Sequence, residues 1–179
     1  MRLIVVAVLG LVSLGSAQTR TPLEMSAFHR TIEAKQLAVT TSQSKVLAAP
    51  GDVLFLYVDV KPKAKMHVYA PEQKAGYIRI ELALDRDKAF TAAKPVFPKA
   101  SSYYFEPLKE TFKVFDAPFR IRQRITIAPT AAMRARAATK DLLALTGTLR
   151  YQACDDEVCY RPDQVRVAWT IGLRSRVTR

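Results

Sequence analysis

Two cysteines, Cys154 and Cys159, are the only thiols of the 179-residue chain, and four residues separate them. Three of those four, Asp155, Asp156 and Glu157, are acidic. The chemistry open to such a pair is a two-electron one. The sulfurs close a disulfide, an incoming thiolate opens it through a mixed disulfide, and the second cysteine releases the attacker. On a helix, residues five apart sit about 140° round from one another and about 7.5 Å along the axis, too far apart to bridge. The spacing therefore predicts a strand-to-strand turn, with Cys154 at the end of one strand and Cys159 at the start of the next.

Closing a loop of six residues constrains the unfolded chain by only about 2 kcal/mol in the chain-entropy model. A bridge of that worth can open without unfolding its host, which permits reversible redox chemistry. It is equally compatible with a plain structural staple that pins a hairpin. Asp155, Asp156 and Glu157 disfavour a thiolate by like-charge repulsion, while Arg150 and Arg161 favour one. The acidic loop on a basic chain also offers a local docking patch. Metal binding is disfavoured, because the only other soft ligands, His29 and His67, stand at no finger-like spacing.

The rest of the chain must hold this turn in place. Arg2, the apolar run Leu3 to Leu14 and the small residues Gly15, Ser16 and Ala17 read as a secretory signal over 1–17, with Gln18 as the mature start. The run is too short to span a bilayer comfortably, and no later segment is apolar enough to do so. The expected protein is exported, to the periplasm or beyond, where disulfides persist. Removing the signal leaves 162 residues, one domain's worth, and takes the formal net charge from +12 to +11. The Lys and Arg residues are scattered, without the aromatic-interleaved stripe of a nucleic-acid binder. Weak contact with an anionic envelope surface is the partner class that this charge admits.

Residues 18–35 read as a leader and 174–179 as a basic tail, which leaves 36–173 as the domain. From Gln36 onward, short runs rich in Val, Ile, Tyr, Phe and Thr alternate with Pro, Gly and Lys, the texture of closely spaced β-strands. Leu37 to Thr41, Val53 to Val60, Met66 to Ala70, Tyr77 to Leu84, Thr111 to Phe115, Phe119 to Ile127, Leu142 to Tyr151 and Tyr160 to Ile171 are the candidates. Val53 to Val60 is nearly all apolar, which predicts a central strand or one buried on both faces. In Phe119 to Ile127 the residues Arg120, Arg122 and Arg124 share one face, read as a solvated sheet surface with a polyanion groove as the sharper alternative. Ser101 to Leu108 reads as an aromatic loop. Pro129 to Lys140 has the composition of a helix and could equally be a long loop. Eight or nine strands with little helix predict an all-β, antiparallel β-sandwich.

Gly147 to Pro162, with both cysteines, resembles the signature of the N-terminal, immunoglobulin-like exported domain of the thiol:disulfide interchange protein DsbD. Val60 to Pro71 is similar to that family's strand and turn before the active site, and Phe105 to Phe115 to the loop and strand after it. The likeness covers 36–172. It implies an immunoglobulin-like sandwich and a cysteine pair that relays two electrons between thioredoxin-like exported redox proteins, with no bound cofactor. It further implies an aromatic residue that caps the cysteines, matched by Phe105 with Tyr104 as its rival. The family's tyrosines beside the cysteines map onto Tyr69 and, less well, His67. Cys159 is then the sulfur joined to partners, and Cys154 its resolving mate. Two departures bear on this. The cysteine spacing is tighter than in the best-known members, and the chain stops at Arg179, where the full interchange protein continues into a membrane domain and a thioredoxin-like one. The expected activity is exchange with thioredoxin-like exported redox proteins, with the direction of electron flow left open. The alternatives are a non-enzymatic binding module with a structural disulfide and a basic envelope-binding domain.

Overall fold

The computed structural model describes residues 30–176. The signal read over 1–17, most of the leader 18–35, His29 and residues 177–179 of the tail lie outside the described residues. In chain order the strands are β1 Arg30–Glu33, β2 Leu37–Gln43, β3 Leu47–Ala48, β4 Val53–Pro62, β5 His67–Tyr69, β6 Glu81–Leu84, β7 Phe90–Ala92, β8 Ser101–Phe105, β9 Glu110–Phe115 and β10 Phe119–Ile127. One helix follows, α1 Ala131–Ala138, then β11 Leu142–Tyr151, β12 Ala153–Cys154 and β13 Asp163–Leu173. The expected eight or nine strands become thirteen because several run for only two to four residues, too short to print a period on the sequence. None of the helices among the described residues is long and apolar enough to cross a membrane.

The strands form three sheets, ordered β1-β2-β4-β10-β7, β3-β13-β11-β6 and β12-β5-β9-β8. All pairings are antiparallel except that of β3 with β13. The first two sheets pack as an immunoglobulin-like sandwich around aliphatic side chains such as Leu54, Leu56, Ile121, Leu145 and Ile171. Side chains also bridge the layers. The Trp169 indole donates to the carbonyls of Ser42 and Tyr57 at 3.1 and 3.2 Å, and the Thr41 hydroxyl donates to the Ala168 carbonyl at 2.9 Å.

β4 lies between β2 and β10, as its apolarity predicts for a central strand. It is not buried on both faces, however. Leu54, Leu56, Val58 and Val60 enter the core, while Phe55, Tyr57 and Asp59 remain half-buried on the outer face. The arginines of β10 cover that outer face. Arg120 forks onto Asp59 at 2.7 and 2.9 Å and lies over the Tyr57 ring, and Arg122 lies over Phe55. Gly51, at φ +87°, makes the turn into β4 in a left-handed conformation that other residues resist.

Two further readings change. Ser101 to Leu108 is not a loop: Ser101–Phe105 is β8, paired with β9, and Glu106–Leu108 is a single 3-10 turn closed by Lys109 at φ 52°. The aromatic density and Pro107 hid the alternation of this strand. The helical alternative for Pro129 to Lys140 is the one that forms, opened by the Thr130 hydroxyl accepting from the Met133 amide.

Candidate functional site

β11 and β13 form one long hairpin whose register ends at Tyr151 opposite Asp163. The residues between leave that sheet. β12 turns aside and pairs with β5, which sets Ala153 opposite Val68 and Cys154 opposite His67. Cys159 then faces Cys154 across an isolated antiparallel bridge, with Cα atoms 4.0 Å apart and the two sulfurs bonded. The cysteines thus occupy a strand-to-strand turn, but they belong to the small third sheet rather than to the ends of the two long strands.

Asp155 builds the turn. Its carboxylate accepts the amides of Glu157 and Val158 at 2.9 and 2.8 Å and the Tyr160 hydroxyl at 2.8 Å. Those two amides, Val158 first, and then the Tyr160 hydroxyl hold the Asp155 carboxyl below the usual range. Asp156 accepts the Tyr103 hydroxyl at 2.8 Å, so the acidic turn is tied to β8. Glu157 is exposed at the rim.

Strand alternation sorts the third sheet into two faces. Val68, Ala153 and Phe115 point into the main core. Tyr69, Phe112, Val114 and Cys154 form a separate cluster on the other face, with Tyr77, Tyr103 and Phe105 packed against it. Tyr77 reaches the cluster from the irregular segment 70–80, which Gln73 ties to the Lys113 amide and Lys74 to Glu110. The Tyr77 hydroxyl donates to Glu110 at 2.8 Å, and its ring lies 5.0 Å from both Tyr69 and Phe112.

A cavity of about 160 Å³ opens beside the disulfide. Both cysteines, His67, Tyr69, Tyr103 and Phe105 line it, with Leu108, Phe112 and Val158. Cys154 is 2% exposed at the cavity's inner side, whereas Cys159 is exposed. The Tyr69 hydroxyl donates to Cys159 Sγ at 3.5 Å. Burial, then Tyr77 and Glu110, push the Tyr69 hydroxyl above its ordinary value, so it stays a donor. His67 is buried against Tyr103, with ring centroids 4.6 Å apart. Its burial lowers the imidazole below the ordinary value, against the opposing pull of Asp156, Asp116 and Asp155.

Most residues singled out in the sequence meet here. Tyr69, His67, Phe105, Asp155 and Glu157 line the same cavity as the cysteines. Tyr104 does not: it projects from the opposite face of β8 and is 55% exposed. Tyr103, Tyr77 and Phe112 complete the site without having been singled out. Reading Ser101 to Phe105 as a strand is the signal that finds Tyr103, since period-two alternation groups it with Phe105 and excludes Tyr104.

The family model described as "Thiol:disulfide interchange protein DsbD, N-terminal" matches residues 34–170. The chain belongs to this DsbD N-terminal family. Its bonded cysteine pair, set in a domain of that family, fits a thiol–disulfide interchange module. Among solved structures, the N-terminal periplasmic domain of ScsB from Proteus mirabilis aligns with a TM-score of 0.49 at 11% identity. That alignment covers 81% of this chain and 50% of that one, so the DsbD-family chain described here spans half the length of the ScsB domain. No curated protein sequence matches the chain.

Proposed function

We propose that the domain is an exported two-electron relay that passes reducing equivalents between thioredoxin-like redox proteins through a reversible Cys154–Cys159 disulfide. The observation that carries this reading is the asymmetry of the pair. Cys159 is exposed at the cavity mouth and Cys154 is buried among aromatic rings. An incoming thiolate reaches Cys159 Sγ, the Cys154–Cys159 bond breaks, and Cys154 leaves with the electron pair. The partner's second thiol then attacks the mixed disulfide and releases Cys159. The Tyr69 hydroxyl, donating to Cys159 Sγ, stabilises charge on that sulfur as it leaves. Phe105, on the wall shared with both cysteines, is the cap that limits access by small oxidants and moves when a partner docks.

Incubation with a reduced thioredoxin, with thiols counted by alkylation and mass spectrometry, tests the relay. Two alkylated cysteines per domain are the expected result; with oxidised thioredoxin in place of reduced, the Cys159 thiolate of Cys154→Ala opens the partner's disulfide and is trapped as a mixed disulfide, and none forms at Cys154 in Cys159→Ala. A reduction potential well below about −300 mV with no exchange would make the bridge a structural staple instead. For the body of the domain, the exposed arginines of β10 support weak contact with an anionic envelope surface. Binding to anionic vesicles that persists in Cys154→Ala and vanishes with added salt checks it, and salt-insensitive binding sinks it.

A further inference from the structure

Each sulfur of the pair has its own polar neighbour. Tyr69 addresses Cys159 through its hydroxyl. Cys154 stands directly across a strand pair from His67. Residues opposed in this way point to the same face, with Cβ atoms about 4.5–5.5 Å apart. Both side chains line the same cavity, and both are nearly closed to bulk water, at 2% exposure for Cys154 and 5% for His67.

The exchange chemistry proposed above leaves one proton to be placed. When a thiolate opens the disulfide at Cys159, Cys154 departs as a thiolate in an aromatic environment. In the reverse direction the Cys154 thiol must lose a proton before its sulfur can attack Cys159 Sγ, re-form the bond and expel the partner's thiolate. Burial raises a thiol's pKa, so water alone is a poor acceptor for that proton. The groups facing this point are Tyr69 on β5, Tyr77 on the irregular segment, Tyr103 on β8, Asp155, Asp156 and the exposed Glu157 in the turn and Asp116 after β9; Asp156 accepts the Tyr103 hydroxyl. The tyrosine hydroxyls hold their protons above the ordinary value, Tyr69 through burial and Tyr103 first through its bond to Asp156. The Asp155 carboxylate is filled by three donors. The imidazole is the group left that gives and takes a proton near neutrality.

We infer that His67 is the general base and acid for Cys154. It accepts the thiol proton when Cys154 attacks the mixed disulfide at Cys159, and it returns a proton to the Cys154 thiolate when an incoming thiol opens the bridge. This rests on the exchange reading. Burial, which favours neutral imidazole, leaves it a ready acceptor at neutral pH.

The step can be isolated with glutathione. Reduced protein is mixed with glutathione disulfide, and capture at Cys159 and then release of glutathione by Cys154 are timed by rapid acid quench and mass spectrometry from pH 5 to 9. In the unaltered protein, release rises through an inflection below pH 7 and then levels. In His67→Gln, release at pH 7 slows roughly 100-fold, the inflection disappears, and added imidazole restores part of the rate. His67→Tyr, which keeps a ring against Tyr103, is equally slow, while capture at Cys159 changes by less than about twofold in both. Release within about twofold of the unaltered protein in a folded His67 variant overturns the inference. Should neither variant fold, an unaltered protein whose release climbs steadily from pH 5 to 8 without an inflection overturns it as well. The relay has a separate readout, since a domain that resolves glutathione through His67 but ignores thioredoxin keeps this inference and loses the relay.

Discussion

The main core and the cysteine cluster are built on opposite principles. Between the two large sheets the side chains are mostly aliphatic, closed to water and drawn largely from long strands. Around Cys154 they are mostly aromatic, drawn from strands of two to six residues and, for Tyr77, from an irregular segment, and they border an open cavity. The two regions share β5, β9 and β12, with Val68 and Phe115 on one face and Tyr69 and Val114 on the other. Alternation lets one set of short strands close the core and wall the site together. The energy that holds the fold is therefore largely separate from the Cys154–Cys159 bond.

The sharpest way to break this contrast is to compare the two regions by stability. Leu145→Ala, in the closed core, is expected to cost about 2–5 kcal/mol in urea unfolding. The double variant Cys154→Ala with Cys159→Ala is expected to cost only about 2 kcal/mol, since its loop is short, while losing exchange completely. If removing the cysteines costs as much as Leu145→Ala, the disulfide is part of the fold's foundation and the contrast fails.

The same contrast explains what could be read beforehand. β11 was legible to the residue, Leu142–Tyr151, and β10 likewise, Phe119–Ile127, because nine or ten alternating positions leave a clear pattern. The cysteine spacing announced its turn. The third sheet was legible only in part: Met66 to Ala70 and Thr111 to Phe115 anticipate β5 and β9, whereas Ala153–Cys154 is too short to carry a period, and the pairing of these strands is fixed only by contacts distant in sequence. Tyr77 sits in an irregular segment and joins the site through Glu110, a link no local pattern reveals. β8 lay between these extremes, with its alternation present but masked by three consecutive aromatic residues.

Tyr103 offers a finer test, because its hydroxyl ties β8 to the turn at an exposed hydrogen bond. Tyr103→Phe is expected to cost less than about 1 kcal/mol in stability. Freed from Asp156, β8 should draw Tyr103 and Phe105 away from the disulfide more often, so reduction by dithiothreitol should quicken severalfold. An unchanged reduction rate would mean that the tie positions nothing at the disulfide.

Titration should separate the two regions most gently, one at each end of the pH scale. Tyr151, at the turn end of the long hairpin, is buried in the main core, and that burial, with Asp163 nearby, pushes its hydroxyl up to about 12. A raised folded value means stability that is complete below the unfolded value near 10 and is lost as pH rises through about 12. Global unfolding midpoints should therefore fall over that window, and Tyr151→Phe should flatten the fall. Asp155 carries the opposite sign. Its carboxyl is held low by the Val158 and Glu157 amides and the Tyr160 hydroxyl, so its contribution is present above the unfolded value near 3.9 and fades as pH drops through the lower folded one. Because Asp155 is half-buried in the turn and anchors nothing in the main core, the acid change should appear in the amide resonances of Glu157 and Val158 before the core signals of Leu145 and Ile171 move. Simultaneous loss of both sets would mean that the turn and the sandwich unfold as one unit, and the division between chemistry and fold would have to be withdrawn.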